Sequence, residues 1–221
     1  MILFNHPTGN ANVRGLLQGL EQAGLLGEFH TCLANGVGLS GKLLQWLAPG
    51  SAGRRHFPIS KKIIRTHPAL ETTRLLASAL HLHALSRHET GWACVDAVYR
   101  NLDEKVARRL QKPGNGKGIY AYEDGALESF RVARKMGVSC LYELPIAYWR
   151  LGKQIQEEEA ELQPEWAMTL SALRDSPEKL QRKDEEIALA DAVFCASSFT
   201  RKSLELYPEP LSAPIHVVPY G

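Results

Sequence analysis

Short apolar runs alternate along the chain with stretches in which apolar residues keep a helical spacing. Residues 2–5 form the first apolar run, and Gly9 and Asn10 follow it in a polar turn. The next apolar positions recur at i, i+3, i+4 and i+7, the spacing of one helix face: Val13, Leu16, Leu17 and Leu20. Asn12 suits the N-cap of this helix, and Gly24 suits its end. This order predicts the opening of a doubly wound α/β domain.

The alternation continues to the end of the chain. It predicts further strands at residues 29–33, 56–59, 119–122, 138–144, 192–196 and 215–218. It predicts helices at 42–47, 70–85, 98–110 and 127–137, from Gly152, Pro164 and Pro177 onward, and at 198–206. Because strands and helices alternate, we expect a single Rossmann-like α/β domain: a doubly wound, mostly parallel sheet with helices on both faces.

Composition narrows the class of protein. Of the 221 residues, 44% are hydrophobic and 23% are charged, the balance of an ordinary soluble globular protein. The formal net charge of +2 gives no reason to expect a nucleic-acid partner. The start has no basic leader, no stretch reaches the ~18 apolar residues of a membrane span, and the four cysteines form no CxxC pair. We therefore expect a cytoplasmic protein with reduced, mostly buried thiols.

Candidate binding residues follow the predicted strands, where ligands bind in open parallel α/β sheets. Gly9, Asn10 and Asn12 follow the first strand. A glycine lets a ligand approach the backbone, and the start of the next helix favours an anion. The spacing does not match the dinucleotide fingerprint GxGxxG, and a plain turn and cap explains these residues about as well.

Acidic and aromatic residues follow two later strands. Glu123 and Asp124 follow residues 119–122, where a carboxylate accepts hydrogen bonds from sugar hydroxyls; Asp124 alternatively caps the next helix. Glu143 lies near Tyr148 and Trp149, and an acid beside two rings suits a carbohydrate. The alternative for both rings is core packing.

Hydroxyl and basic residues supply the remaining candidates. Ser197, Ser198 and Arg201 follow the strand at 192–196 and suit an anion, although Ser198 as a helix cap explains part of this pattern. The histidines His81, His83 and His88 lack the HExxH spacing of a zinc site, so we expect surface histidines and no metal.

A basic run without acids lies beside apolar residues between positions 42 and 65. It contains Arg54, Arg55, Lys61, Lys62 and Arg65, close to Leu43, Leu44, Trp46 and Leu47. This pairing suits peripheral contact with an anionic membrane surface, or an anionic acceptor. The alternative is a solvated charged face.

Four motifs in the second half occur in a familiar order. They are Tyr120-Ala-Tyr-Glu-Asp-Gly-Ala126, Tyr142-Glu-Leu-Pro145, Glu186 to Thr200 with its Glu-x4-Asp pattern and paired serines, and Val217-Val-Pro-Tyr-Gly221. In this order they resemble the N-terminal half of glycosyltransferase family 4, retaining enzymes built from two Rossmann-like domains. The resemblance covers residues 118–221 well, and before that it rests on the opening strand and loop.

The resemblance implies a hexosyltransferase that moves a sugar from a nucleotide-sugar donor to a glycan or lipid-linked acceptor, without a metal or other cofactor. Residues 1–221 would form the N-terminal, acceptor-side domain, inactive alone. The hinge to a C-terminal donor-binding domain, which this chain does not contain, would begin near Gly221.

Family positions map onto few residues here. Gly9 and Asn10 match the loop that faces donor and acceptor, and Glu186 and Asp191 match structural positions. Glu143 lies where many relatives place a histidine near the reacting sugar, and it is a weak catalytic candidate. The alternative to a transferase is a stand-alone Rossmann-like binding module for a phosphorylated ligand.

Overall fold

A computed structural model describes residues 1–47, 50, 52–112, 114 and 116–220. Its strands are β1 Ile2–Asn5, β2 Leu26–Thr31, β3 Ile64–Thr66, β4 Gly118–Tyr122, β5 Ser139–Leu144, β6 Ala192–Cys195 and β7 Ile215–Val217. They form one sheet in the order β3-β2-β1-β4-β5-β6-β7, and every neighbouring pair is parallel. The expected doubly wound parallel sheet is confirmed, because the order runs outward in both directions from β1.

Helices connect the strands. They are α1 Ala11–Gln22, α2 Gly38–Leu47, α3 Ala69–Ala79, α4 His83–Ser86, α5 Val95–Leu110, α6 Leu127–Lys135, α7 Trp149–Leu162, α8 Pro177–Ala188 and α9 Ser198–Ser203. Short 3₁₀ segments lie at Lys61–Ile63, Pro164–Thr169, Ser171–Arg174 and Leu204–Leu206. Among the described residues, no helix has both the length and the apolar character that crossing a bilayer requires.

Each face of the sheet packs against helices. On one face, Val13 and Leu17 of α1 pack with Phe4 and Phe29. The other face packs against α5, α6 and α8 through Val106, Leu110, Phe130 and Ile187. Burying one such side chain contributes about 1.5–3 kcal/mol, so these two layers hold the strand ends in place. The four cysteines are buried and free, as expected.

The region before residue 117 departs most from the expectation. Residues 56–59 are not a strand; the third strand is β3, a few residues later. Pro58 lacks the N–H that a strand ladder needs, and Phe57 instead packs edge-on against Phe29, with ring centroids 4.7 Å apart. The single helix expected at 70–85 is two helices, because the chain turns at His81, whose φ is +55°.

Two expected caps lie at the wrong residues. Asn10, not Asn12, caps α1: its Oδ1 accepts a hydrogen bond from the Val13 N–H at 2.9 Å, and Asn12 lies inside the helix. Ser197, not Ser198, caps α9 by accepting from the Thr200 N–H at 3.1 Å. A cap residue has extended backbone and precedes the first helical residue, which excludes Asn12 and Ser198.

Candidate functional site

The strands that precede the candidate residues all end at one edge of the sheet, the carboxyl edge. This follows from the parallel order, which brings the ends of β1, β4, β5 and β6 to the same side. The backbone of Glu123 is tied directly to the next strand, because its N–H donates to the Glu143 carbonyl at 3.1 Å. The edge nevertheless separates into distinct sites, because the side chains point in different directions.

The loop from β1 to α1 is shaped by a buried histidine. His6 Nδ1 accepts hydrogen bonds from the Gly9 N–H at 2.8 Å and from the Thr8 N–H at 3.3 Å. Burial lowers the pKa of His6 to about 4, so its ring is neutral at pH 7 and can accept these bonds. His6 was not among the predicted site residues. Its signal was a histidine placed directly after the first strand.

A cavity of about 540 Å³ opens beside this loop, and we call it the arginine pocket. Its lining is Thr8, Gly9, Asn10, Ala11, Arg14, Arg54, Arg55, Arg74 and Leu75. Buried Glu71 accepts hydrogen bonds from Arg55 and, at 2.7 and 2.9 Å, from Arg74. Arg14 donates to the Arg54 carbonyl at 3.0 Å.

The arginine pocket corrects one expectation and adds Arg14, Glu71 and Arg74, which the sequence pattern did not single out. Arg55 was expected in a basic run that contacts a membrane or an anionic acceptor, or that forms a solvated face, but it is only 4% exposed because it pairs with Glu71. Lys61, Lys62 and Arg65 of the same run are exposed. Glu71 and Arg74 had no sequence signal, since they belong to an ordinary amphipathic helix, α3.

The two carboxylates Glu123 and Glu143 do not meet. Glu143 is paired in register with Tyr122, so Glu123, one residue further, points to the opposite face. Glu123 is buried with its Oε1 3.4 Å from Lys183 Nζ, and burial raises its pKa against the effect of that ammonium group. Glu143 accepts hydrogen bonds from Tyr120 Oη and, at 2.8 Å, from Tyr220 Oη.

These contacts leave Glu143 little freedom. It is 4% exposed, and burial raises the pKa of its carboxyl although both phenols oppose the rise. The carboxyl therefore holds Tyr220 against the sheet. Gly221, where the resemblance places a hinge, lies outside the described residues.

Asp124 does not cap the helix that follows it, contrary to one expectation. Its φ is +70°, and α6 has no side-chain cap from residues beside its own start. The N–H groups of Asp124, Ala126 and Leu127 instead donate to the Glu186 carboxylate at 2.9, 3.1 and 3.2 Å. Asp103 accepts from the Glu128 and Ser129 N–H groups at 2.7 and 3.0 Å. Asp124 itself lines a separate cavity of about 370 Å³.

The structural roles expected of Glu186 and Asp191 agree with their contacts. Glu186 is fully buried against the start of α6, with Arg182 Nε 3.3 Å away. Asp191 accepts from the Cys140 N–H at 2.8 Å and from Arg134 at 2.5 Å, which fixes β6 beside β5.

Tyr148 and Trp149 do not form the sugar platform that the sequence suggested. Tyr148 is fully buried, and its hydroxyl donates to Asp184 Oδ1 at 2.6 Å. Trp149 Nε1 donates to the same oxygen at 2.6 Å, and the Arg150 guanidinium lies 4.3 Å from the Trp149 ring centroid. Both rings pack on the core and donate to the same Asp184 oxygen, which agrees with the alternative expectation of core packing.

Ser197, Ser198 and Arg201 lie apart from the arginine pocket. Ser197 is engaged as the cap of α9. Ser198 and Arg201 are exposed and line a groove with Tyr207 and Ile215. The arginine pocket and this groove have no lining residue in common among the described residues. The structure therefore does not join the first and last strand ends into one cavity.

The histidines His81 and His83 are exposed, as expected. His88, Glu89 and Asp175 place three ligand-type atoms within 4.8 Å of one another. The ammonium group of Lys179 already supplies a positive charge to this cluster, because its Nζ lies 2.9 Å from carboxylate oxygens of both Asp175 and Asp96. These contacts are those of a surface ion-pair network.

Solved structures with a similar fold were found. A protein named TcCGT1, in complex with UDP, is 12% identical with a TM-score of 0.52; the match covers 100% of this chain and 50% of that chain. UGT89C1 from Arabidopsis thaliana is 14% identical over 100% of this chain and 50% of that one, with a TM-score of 0.44. A UDP-glucosyltransferase from Polygonum tinctorium, capable of glucosylating indoxyl and complexed with 3,4-dichloroaniline, is 13% identical with a TM-score of 0.44. The match covers 100% of this chain and 52% of that chain.

The first of these comparisons shows the fold, and the chain is a Rossmann-like α/β domain. It spans about half the length of the solved structures that it matches. No protein-family model matches the sequence, and no curated protein matches it. Membership of glycosyltransferase family 4 stays a prediction.

Proposed function

We propose that this chain is the acceptor-binding N-terminal half of a glycosyltransferase. The whole enzyme would move a sugar from a nucleotide-sugar donor to a glycan or lipid-linked acceptor, retaining the anomeric configuration and using no metal. The observation that carries this proposal is the match of the whole chain to half of a solved structure in complex with UDP. The order of the four motifs in residues 118–221 supports the same class.

The acceptor would bind at the loop from β1 to α1. His6 holds Gly9 in this loop by a hydrogen bond, and the loop lies at the edge where ligands of parallel α/β sheets bind. We keep Gly9 and Asn10 as the acceptor-side residues, with Arg14, Arg54 and Arg74 added. Glu143 enters the proposal as a positioning residue, because two phenols already occupy its carboxyl.

Donor titration tests the division of labour between the two halves. We expect UDP-glucose and other nucleotide sugars to bind these 221 residues weakly, with Kd in the millimolar range, about −4 kcal/mol. Isothermal titration calorimetry measures this. The same titration on the protein with any segment encoded beyond Gly221 should give micromolar binding and sugar transfer. Micromolar donor binding by the 221 residues alone would contradict the proposal.

The second candidate is a stand-alone module that binds a phosphorylated ligand. The arginine pocket favours it, because four guanidinium groups suit an anion without any second domain. The coding sequence after Gly221 separates the two candidates. A stop codon would support the module, and a second α/β segment with a Glu-x7-Glu motif would support the transferase.

A further inference from the structure

We propose that the arginine pocket binds a phosphoryl group carried by the acceptor. This inference rests on the proposed function and names the chemical class of its acceptor. Three independent features of the pocket support it: an excess of positive charge, free N–H groups at a helix start, and a buried guanidinium nitrogen without a partner.

The first feature is the charge of the lining. Arg14, Arg54, Arg55 and Arg74 contribute four guanidinium groups. Among the described residues, Glu71 alone forms an ion pair with these guanidinium groups, and it pairs only with Arg55 and Arg74. A formal excess of three positive charges therefore surrounds the cavity. Guanidinium groups bind phosphate through paired N–H donors, which makes such a lining selective for oxyanions.

The second feature is the start of α1. The first N–H groups of a helix have no partner inside it. The Asn10 side chain accepts a hydrogen bond from the Val13 N–H. The N–H groups of Ala11 and Asn12 have no protein acceptor among the described residues. The helix is twelve residues long, so its dipole adds partial positive charge where these groups point.

The third feature is Arg55 itself. Its Nη2 bonds Glu71, but its Nη1 is buried and has no hydrogen-bond partner in the described part of the chain. A buried charged donor without a partner is unfavourable, so such a group is usually satisfied by a ligand or water. Arg55 also lines the cavity, so the positive charge of its guanidinium group attracts an oxyanion there.

The size of the cavity fits more than the phosphoryl group. About 540 Å³ lies within the range of small-molecule sites and leaves room for a sugar ring beside a phosphate. Gly9 brings the backbone close to this space, since its φ is +79° and a Cβ there would lie 2.5 Å from the Phe57 ring.

Calorimetric titration with inorganic phosphate tests the pocket, at fixed low ionic strength and with the protein as purified. Arg14→Gln and Arg54→Gln should each weaken phosphate binding about tenfold, since a charge-assisted bond contributes about 1.4 kcal/mol or more. Arg108→Gln is the matched control: its side chain is exposed on α5 and lies outside the pocket, so binding should not change. Arg55 is left intact, because replacing it would strand the buried Glu71 carboxylate.

Thermal unfolding of each variant checks that it folds. Phosphate binding that is absent in the unsubstituted protein, or equal in all three variants, would overturn the proposal.

A second titration separates the acceptor from the donor as the source of the phosphoryl group. UDP is added to phosphate-saturated protein. Independent binding of the two supports the acceptor assignment, and displacement of phosphate by UDP overturns it in favour of the donor diphosphate.

Sugar transfer assays on the protein with any segment encoded beyond Gly221 distinguish this inference from the proposed function, since residues 1–221 alone are expected to be inactive. Transfer by this longer protein without phosphate binding would overturn the pocket and leave the function. Phosphate binding by the longer protein without sugar transfer would overturn the function and the acceptor assignment together, and would leave the binding module.

Discussion

Gly9 occupies a position that no residue with a side chain fits. Its φ of +79° lies in the left-handed region, and the Phe57 ring fills the space where a Cβ would extend. The same loop depends on His6, whose ring nitrogen accepts two backbone N–H groups. At the scale of single residues, the geometry of the candidate site is therefore set by one glycine and one neutral histidine.

Replacing Gly9 should destabilise the protein. Gly9→Ala combines left-handed strain with a clash against Phe57, and we expect it to lower the free energy of unfolding by about 2–4 kcal/mol. Gly15→Ala is the control, because a Cβ at Gly15 in α1 meets no described atom within 4 Å. It should raise stability by about 0.5–1 kcal/mol, as alanine favours a helix. Urea denaturation measures both, and equal effects would contradict the argument.

His6 should make stability depend on pH. Its folded pKa of about 4 lies below the ordinary value of 6.5, so the unfolded chain binds a proton that the folded chain does not. The stabilisation is complete above pH 6.5 and is lost as pH falls towards 4, a loss of about 3 kcal/mol. Half-buried His67, whose pKa is also lowered to about 4 by partial burial and by the nearby His30 and Lys105, acts in the same direction.

Urea denaturation at a series of pH values between 7 and 4.5 measures this dependence. His6→Asn keeps an acceptor near Nδ1 but does not titrate in this window, so the slope should fall. The exposed His83→Asn is the control and should retain the full slope. A His6→Asn protein with the unsubstituted slope would refute the assignment.

Residue roles were predictable only where local sequence decides them. Gly24 and Gly137 end their helices with positive φ, as expected, because a helix end needs only a nearby glycine. Tyr148 looked like a ligand platform, and its burial depends on Asp184, which is 36 positions away. Sequence spacing carries no information on such a distant partner.

At the scale of elements, α6 begins with caps taken from two other helices. Glu186 of α8 and Asp103 of α5 together accept five N–H groups around its first turn. Both carboxylates are completely buried, and Arg182 lies beside each of them. The three helices are therefore tied together by polar contacts as well as by the apolar core.

Glu186→Gln should destabilise this helix triad. An amide has one acceptor oxygen instead of two, and its NH₂ group would face backbone donors, so we expect a loss of about 2–4 kcal/mol. Glu185→Gln is the same substitution at a half-buried neighbouring residue, whose carboxylate makes a surface ion pair with Arg131, and it should cost under about 1 kcal/mol. Chemical denaturation compares the two, and similar losses would show that Glu186 is not the cap that α6 depends on.

Elements were predictable in the second half because strands there are apolar runs bounded by glycine or proline. Before residue 117, β1, α1, β2, α2 and α5 also match predicted elements. The third strand was not predictable there, since β3 has three residues and takes its pairing from β2. A short edge strand is determined by the strand that it pairs with more than by its own sequence. Residues 56–59 were predicted as a strand because Phe57 is apolar, but Phe57 is apolar because it packs in the core beneath the first loop.

At the scale of the whole molecule, exposed apolar and basic residues occur together in α2 and in the segment that follows it. Trp46 is 75% exposed on α2 and Leu39 is 71% exposed. Lys42, Lys61 and Lys62 are exposed in the same part of the sequence, although residues 48, 49 and 51 lie outside the described ones. Peripheral membrane contact through residues 42–65 therefore stays a prediction with named residues.

Co-sedimentation with vesicles tests this contact. The protein should bind vesicles that contain anionic phospholipid more than neutral ones, and Trp46→Ser should reduce binding about fivefold or more, because the ring inserts at the interface. Trp166→Ser is the control, since Trp166 is 62% exposed in a different segment. Equal loss in both variants, or equal binding to neutral vesicles, would contradict the prediction.

The fold class was predictable as a whole, while the site was predictable in part. Alternating patterns fix which residues end strands, and so Gly9, Glu123 and Glu143 do lie at one edge. The face of the sheet on which a side chain lies depends on the pairing register of its strand. Because Glu143 pairs with Tyr122, the Glu123 side chain lies on the opposite face from that of Glu143. The arginine pocket joins α1, Arg54–Arg55 and α3, and no local pattern connects them.

The position of β1 in the middle of the sheet has a consequence for how the chain folds. β1 is made before β4, yet β4 is one of its two neighbours, and Gly118 of β4 pairs with Ile2. That flank of β1 stays unpaired until residues 118–122 have left the ribosome. High contact order of this kind slows folding and exposes an apolar strand to aggregation. Chaperone demand during synthesis should therefore fall once β4 has emerged.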